Sequence, residues 1–126
     1  MAVSEAIENY LETILVLSKK KPELHAVDIC AELGYSRPTL SVVLKKMRDE
    51  GLIIVDNLNH IAMTEKGRQI AEAVYERHTI LAKMLMSFGV SEEAAHRDAC
   101  KMEHAISDES FQALKRHMAQ LKEKPV

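Results

Sequence analysis

The sequence predicts a mainly α protein: an N-terminal winged helix-turn-helix with a two-stranded wing, followed by a helical domain. Three observations carry this expectation. AVDICAELGYSRPTLSVVLKKM (26–47) reads as two short helices around Gly34, and glycine supplies a turn conformation that other residues avoid. LIIV (52–55) and HIAM (60–63) are short β-prone runs separated by DNLN, the pattern of a hairpin. The 126 residues include only 4% aromatics, no Trp, 4 Gly and 3 Pro. A core must therefore come from Leu, Ile, Val, Met and Ala, held in long elements with few turns.

Each element has its own signals. Residues 4–20 form a helix, with Ser4 as N-cap and Ile7, Leu11, Ile14 and Leu15 at helical spacing. KKKPE (19–23) closes it, because lysines suit a helix C-terminus and Pro22 bars continuation. A helix over 26–33 ends at Gly34, and another over 37–50 ends at Gly51. Around Gly34, the residues Ile29, Leu33, Tyr35, Leu40 and Val43 take the apolar positions of a helix pair, and Cys30 sits where close approach wants a small side chain. Thr64 caps a long helix reaching about Phe88, with Ile70, Val74, Leu81, Leu85 and Phe88 as its apolar seam. Ser91 caps the next helix, and Ser107 with Asp108 caps a last one carrying Phe111, Leu114, Met118 and Leu121. KEKPV (122–126) is expected to fray. The domains are expected at 1–63 and 64–126.

Several function classes are excluded early. No apolar run approaches the ~18 residues of a membrane span, and MAVSEAIENY lacks a basic region followed by an apolar stretch. A cytoplasmic location without membrane association is expected. In that setting the two distant cysteines, Cys30 and Cys100, are expected to stay reduced. A net charge of −2 does not mark a nucleic-acid binder, so any such activity must rest on local charge segregation.

The stretch 36–48 shows such segregation. Leu40, Val43, Leu44 and Met47 follow the i, i+3, i+4, i+7 rule and point inward, opposite Pro38, Ser41, Val42 and Lys45. Arg37, Lys45, Lys46 and Arg48 are basic, and no acid interrupts them. Pro38 at the helix start costs no hydrogen bond, and the first-turn N–H groups can hold a phosphate. Ser41 can bond a base edge, Pro38 and Val42 can touch a thymine methyl, and Arg37, Lys45 and Lys46 suit backbone phosphates. The alternative is a solvated basic face on an ordinary helix pair. The hairpin that follows favours DNA, since a strand–turn–strand after a recognition helix is a wing. The wing tip (56–60) has no Lys or Arg, which argues against a strong wing–phosphate grip.

HRDACKMEHA (96–105) raises a second question. At ~100° per residue, His96, Cys100, Glu103 and His104 fall within about 100° on one helix face, while Met102, Ala105 and Ile106 point elsewhere. Thiolate, carboxylate and imidazole converging in this way suit a divalent transition metal. His78 stands in the apolar seam of the long helix, and Asn9 and Glu12 lie at i, i+3 on the first helix. Taken singly, His78 also reads as a hydrogen-bonded core histidine, and the Asn9/Glu12 pair as a solvated helix edge.

These residues resemble the iron- and manganese-dependent repressors of bacteria, the diphtheria-toxin-repressor and manganese-transport-regulator family. The likeness runs through ENYLETI (8–14), SRPTLS (36–41), MTEKG (63–67), ERH (76–78) and, most specifically, DACKMEHAISDE (98–109). It implies a metal-dependent transcriptional repressor of metal homeostasis, acting as a homodimer on a palindromic operator in double-stranded DNA. It further implies that residues 64–126 form a helical metal-binding and dimerisation domain, in the short form without an SH3-like domain. By position, Glu12, His78, Cys100, Glu103 and His104 match metal ligands, with Asn9 and His96 as further candidates. Asn9 stands where the family has Met or Asp, and Ala82 where the iron branch has a Glu. A cysteine ligand favours Fe(II), with Mn(II) next and Zn(II) or Co(II) binding in vitro. The DNA-contacting candidates are Ser36, Arg37, Pro38, Thr39, Ser41, Val42, Lys45 and Lys46.

The expected mechanism is a metal that joins Glu12 to the Cys–Glu–His patch and so favours the form whose paired recognition helices stand about one DNA turn, ~34 Å, apart. One alternative is a winged-helix regulator that answers to a small molecule or to oxidation of a cysteine. An enzyme built on a Cys100–His104 nucleophile–base pair is not expected, since no Gly-rich oxyanion loop accompanies it.

Overall fold

The first helix begins where a serine can cap it. In the computed structural model of the chain, which describes the backbone of residues 4–123 and the side chains of 4–121, Ser4 Oγ accepts a hydrogen bond from Ile7 N at 3.3 Å and opens α1 (Glu5–Lys20). Acids occupy its first turn and lysines its last, both favourable to the helix dipole. α2 (Ala26–Leu33) starts at His25, whose N–H donates to Asp28 Oδ2 at 2.8 Å, and stops at Gly34 in the left-handed region (φ 74°). α3 (Arg37–Asp49) is capped by Ser36, with Pro38 in the first turn. It ends one residue before the expected Glu50, because Gly51 (φ 74°) turns the chain there.

The wing is shorter than the apolar runs suggest. β1 (Ile53–Val55) and β2 (Ile61–Met63) pair antiparallel, with Ile53 opposite Met63 and Val55 opposite Ile61. Leu52 and His60 lie just outside the strands, one at the α3 end and one at the turn, although single hydrogen bonds continue the register at both ends. Leu52 N donates to Met47 O, its carbonyl accepts from Thr64 N, and His60 O accepts from Asp56 N across the turn.

α4 (Glu65–Ser87), α5 (Glu92–Ala105) and α6 (Asp108–Glu123) complete the chain. Thr64 caps α4: its Oγ1 accepts from Gly67 N at 3.1 Å and donates to Gly51 O at 2.6 Å. Gly67 is required for a separate reason, since a Cβ there would collide with the Leu52 carbonyl. Ser91 and Ser107 cap α5 and α6 through the N–H groups of Ala94 and Ser110. α6 continues through Lys122 and Glu123, and the rest of the KEKPV end lies outside the described residues.

Phe88 does not extend the α4 seam. It lies beyond the last helical residue, where Gly89 (φ 95°) reverses the chain, and is 72% exposed. Tyr35 is likewise half exposed; its ring stands 6.0 Å from that of Tyr10.

The chain divides into two compact units, Met1–Ala73 and Val74–Val126. In the first, Ile7, Leu11, Ile14, Ile29, Leu40, Met47 and Leu52 form a continuous buried cluster. Each such side chain contributes about 1.5–3 kcal/mol by leaving water. The second has a slimmer core of Leu81, Ala82 and Ala99 with partly buried methionines around it. Ala82 is buried there, so the residue that departs from the iron-branch pattern serves as a small packing surface.

Candidate metal centre and nucleic-acid interface

The metal candidates of the second unit sit on two helices. α5 carries its polar face at graded depth: His96 exposed, Cys100 and His104 half-buried, Glu103 buried. Met102 and Ile106, on another face, pack against the Leu81 cluster. Glu103 is the sole buried charged residue among those described. Its Oε2 is 3.1 Å from His78 Nδ1 on α4, and its Oε1 is 3.4 Å from His104 Nε2. His78 Nε2 reaches His96 Nδ1 at 2.9 Å, with the two rings stacked at 5.1 Å. Four of the expected residues, His78, His96, Glu103 and His104, are thus brought together.

A buried carboxylate needs compensation, because an uncompensated buried charge costs about 3–5 kcal/mol. Imidazoles supply part of it. Glu103 Oε1, however, accepts no hydrogen bond among the described residues. An under-satisfied buried carboxylate oxygen with two imidazoles at hand is a donor set that fits a divalent transition ion. Cys100 adds a thiol one turn before His104 and is not in a disulfide. Glu12 and Asn9 lie half-buried on α1 in the first unit, where Glu12 lines a small pocket with Thr13, Val16, Leu17 and Glu32.

Sequence reasoning missed Arg77. Its guanidinium donates to Ile106 O at 2.8 Å and Glu103 O at 3.3 Å, approaches Asp108 at 3.6 Å and lies over the Phe111 ring. It therefore fastens the carbonyl end of α5, where a cation suits the helix dipole, to Asp108 at the start of α6. Its neighbours serve other contacts: Glu76 pairs with Lys115 at 3.0 Å, and His78 meets Glu103. Three consecutive residues fan out at ~100° each: Glu76 to the Lys115 ammonium, Arg77 to the backbone where α5 ends, and His78 to the Glu103 carboxylate. The ERH triplet was the available signal.

In the first unit the candidate DNA face is exposed at every position: Ser36, Arg37, Pro38, Thr39, Ser41, Val42, Lys45 and Lys46. The hydroxyls of Ser36 and Thr39 bond each other at 2.9 Å, and Val42 is 72% exposed. Lys45 pairs with Asp49 at 2.9 Å, and that hydrogen bond holds the Asp49 carboxyl below its ordinary range. Arg37, Ser41 and Lys45 border one cleft of about 430 Å³, which Arg48 also lines. Lys46 lies outside it. The wing tip is knotted by Asp56, which accepts from the N–H groups of His60 and Leu58 and is thereby kept ionised to lower pH. Asn59 takes a left-handed conformation (φ 63°). The tip presents Leu58 to solvent and no cation.

Comparison with known proteins matches residues 2–61 to the iron dependent repressor N-terminal DNA-binding domain and 64–126 to the iron dependent repressor metal-binding and dimerisation domain. The chain is 38% identical over 111 residues to the transcriptional regulator MntR of Escherichia coli, covering 88% of this chain and 72% of that one. It is 33% identical over 106 residues to the iron-dependent repressor IdeR of Mycobacterium tuberculosis, covering 83% of this chain and 46% of that one. The structure of the manganese regulator SloR superposes with a TM-score of 0.79 at 26% identity, over 94% of this chain and 55% of that one. The chain thus spans about half the length of SloR and IdeR. No helix among the described residues is long and apolar enough to cross a membrane.

Proposed function

This chain belongs to the iron-dependent repressor family of metal-dependent DNA-binding transcriptional regulators, and on that premise we propose that it represses transcription in response to a divalent ion held by Glu103, His104, Cys100 and His78. The observation that carries the reading is the buried Glu103 carboxylate, faced by His78 and His104 and short of a full hydrogen-bond complement. Family resemblance adds Glu12 to the ligand set, with Asn9 and His96 as ancillary donors. When bound, the ion supplies positive charge that offsets the Glu103 carboxylate and a Cys100 thiolate. His78 presents Nδ1 towards Glu103 and is steadied by His96 at its other nitrogen. Such second contacts fix ring orientation in metal sites. Arg77 holds the α5 terminus on which Glu103 and His104 sit.

Fe(II) is the favoured activator and Mn(II) the next, because a thiolate is a soft ligand; Zn(II) and Co(II) would also bind in vitro. The active species is a cytoplasmic homodimer on a palindromic operator, with functional halves at 1–63 and 64–126, and it catalyses no reaction. Regulation is a population shift whose size is bounded by the ion's differential affinity for the DNA-competent form. The test is DNA-binding anisotropy under anaerobic conditions with Fe(II), Mn(II), Co(II) or Zn(II), set against a chelator. Binding should tighten at least tenfold with metal, and Glu103→Gln should abolish the response. Equal affinity with and without chelator would overturn the reading. Glu12→Gln, assayed in the same way, tests its place in the ligand set.

A further inference from the structure

α3 does not present its cations evenly. Arg37, Lys45 and Arg48 turn towards the wing and border a single cleft with His25, Val55 and Asn59. No carboxylate lines that cleft among the described residues. Among the described residues neither Arg37 nor Arg48 makes a direct ion pair, whereas Lys45 is taken up by Asp49, one turn further along α3 and outside the cleft lining; the Arg48 charge acts on Asp49 only at longer range. Arg48 and Asp49 are adjacent, so the end of α3 places one available guanidinium beside one ion pair. Guanidinium groups with no direct ion pair among the described residues, in a surface groove walled by Val55 and Ser41, suit a phosphodiester: the fork geometry gives bidentate bonds to phosphate oxygens.

We propose that the cleft between α3, the start of α2 and the wing seats a DNA backbone phosphate through Arg48 and Arg37, and that Asp49 restrains the grip by holding Lys45. The inference rests on the DNA-binding reading above and assigns it a second contact track, beside the bases that the outward face of α3 would meet. It accounts for a wing tip without Lys or Arg: the phosphate is held by cations of α3 in the cleft that Val55 and Asn59 wall, so the tip itself need not supply a charge. Contacts of this kind position a protein on the duplex without reading sequence.

The experiment uses the full chain loaded with Mn(II) and a fluorescein-labelled duplex selected from a random-sequence pool by the wild-type protein. Affinity is measured by anisotropy over a series of salt concentrations for wild type, Arg48→Ala, Asp49→Asn and, as a charge control, Lys20→Ala. Each phosphate contact contributes about 0.9 to the slope of log affinity against log salt. Arg48→Ala should flatten the slope by about 1.8 for a dimer and weaken binding on the order of tenfold at moderate salt, equally for selected and scrambled duplexes. Asp49→Asn should tighten binding several-fold. Lys20→Ala should leave both quantities unchanged. An unaltered slope for Arg48→Ala, weaker binding by Asp49→Asn, or an equal loss from Lys20→Ala would overturn the cleft assignment and leave the repressor reading intact. A wild-type chain that retains no duplex from the pool would overturn both. Circular dichroism of each variant confirms that α3 is intact, so a lost contact is distinguished from a lost fold.

Discussion

The two units are stabilised by different physics. The first is held by a continuous apolar cluster in which Leu11, Ile29, Leu40, Met47 and Leu52 have no exposed surface. The second packs alanines at its helix crossings and sets a buried carboxylate among imidazoles. Apolar burial does not depend on pH or on a bound ion, whereas a buried charge is stable only with compensation. The reader of DNA is therefore built to keep its shape, and the sensor is built so that its stability depends on what binds it.

The sharpest way to break this contrast is to damage each unit in turn. Met47→Ala, in the apolar core, should cost about 2–5 kcal/mol by creating a cavity. Urea unfolding with and without metal should show the same loss; a metal-dependent loss would erase the distinction. Next, adding Mn(II) or Fe(II) at about 100 times its dissociation constant should stabilise the wild type by about 2.7 kcal/mol. Glu103→Gln should forfeit that gain, as read by the melting temperature. Arg77→Ala comes third. It leaves the Glu103 and Ile106 carbonyls without their donor and should cost about 1–3 kcal/mol, concentrated in hydrogen-exchange protection of α5 and α6.

The smallest effect is a pH dependence confined to the first unit. Asp28 is held below its ordinary carboxyl range first by the hydrogen bond from Lys21, then by the His25 N–H. A depressed folded-state pKa gives stability that is present above the unfolded value near 3.8 and lost as pH falls through the folded one. Acid below about pH 4 should therefore erode the wild type slightly, and Asp28→Asn should flatten that erosion in an acid titration followed by circular dichroism.

How much of this was legible differs between the units in the same way. Four helix starts were readable because Ser4, Thr64, Ser91 and Ser107 all lie within hydrogen-bond reach of first-turn N–H groups, a local interaction that sequence encodes directly. The Cys–Glu–His face was readable because helical spacing fixes direction. Depth was not. Periodicity treats His96 and Glu103 alike, yet one is exposed and the other buried, since depth depends on where α4 packs. Phe88 failed for a related reason: the spacing continues past Ser87, but the helix does not. Arg77 escaped notice and Arg48 registered only as one cation of a basic run, because their value lies in long-range partners or in a cleft with the wing, neither of which a single helical wheel displays.

The junction of wing and α4 carries one more consequence. Thr64 spends a single hydroxyl in two directions, and the space a methyl at 67 would need already holds the Leu52 carbonyl. Between them, Glu65 and Lys66 face solvent. The hairpin's root is consequently welded to the helix that follows. A mutational scan of 64–67 should return two forgiving positions bracketed by two intolerant ones, a signature of a rigid joint where a loop of the same length would have served as a flexible tether.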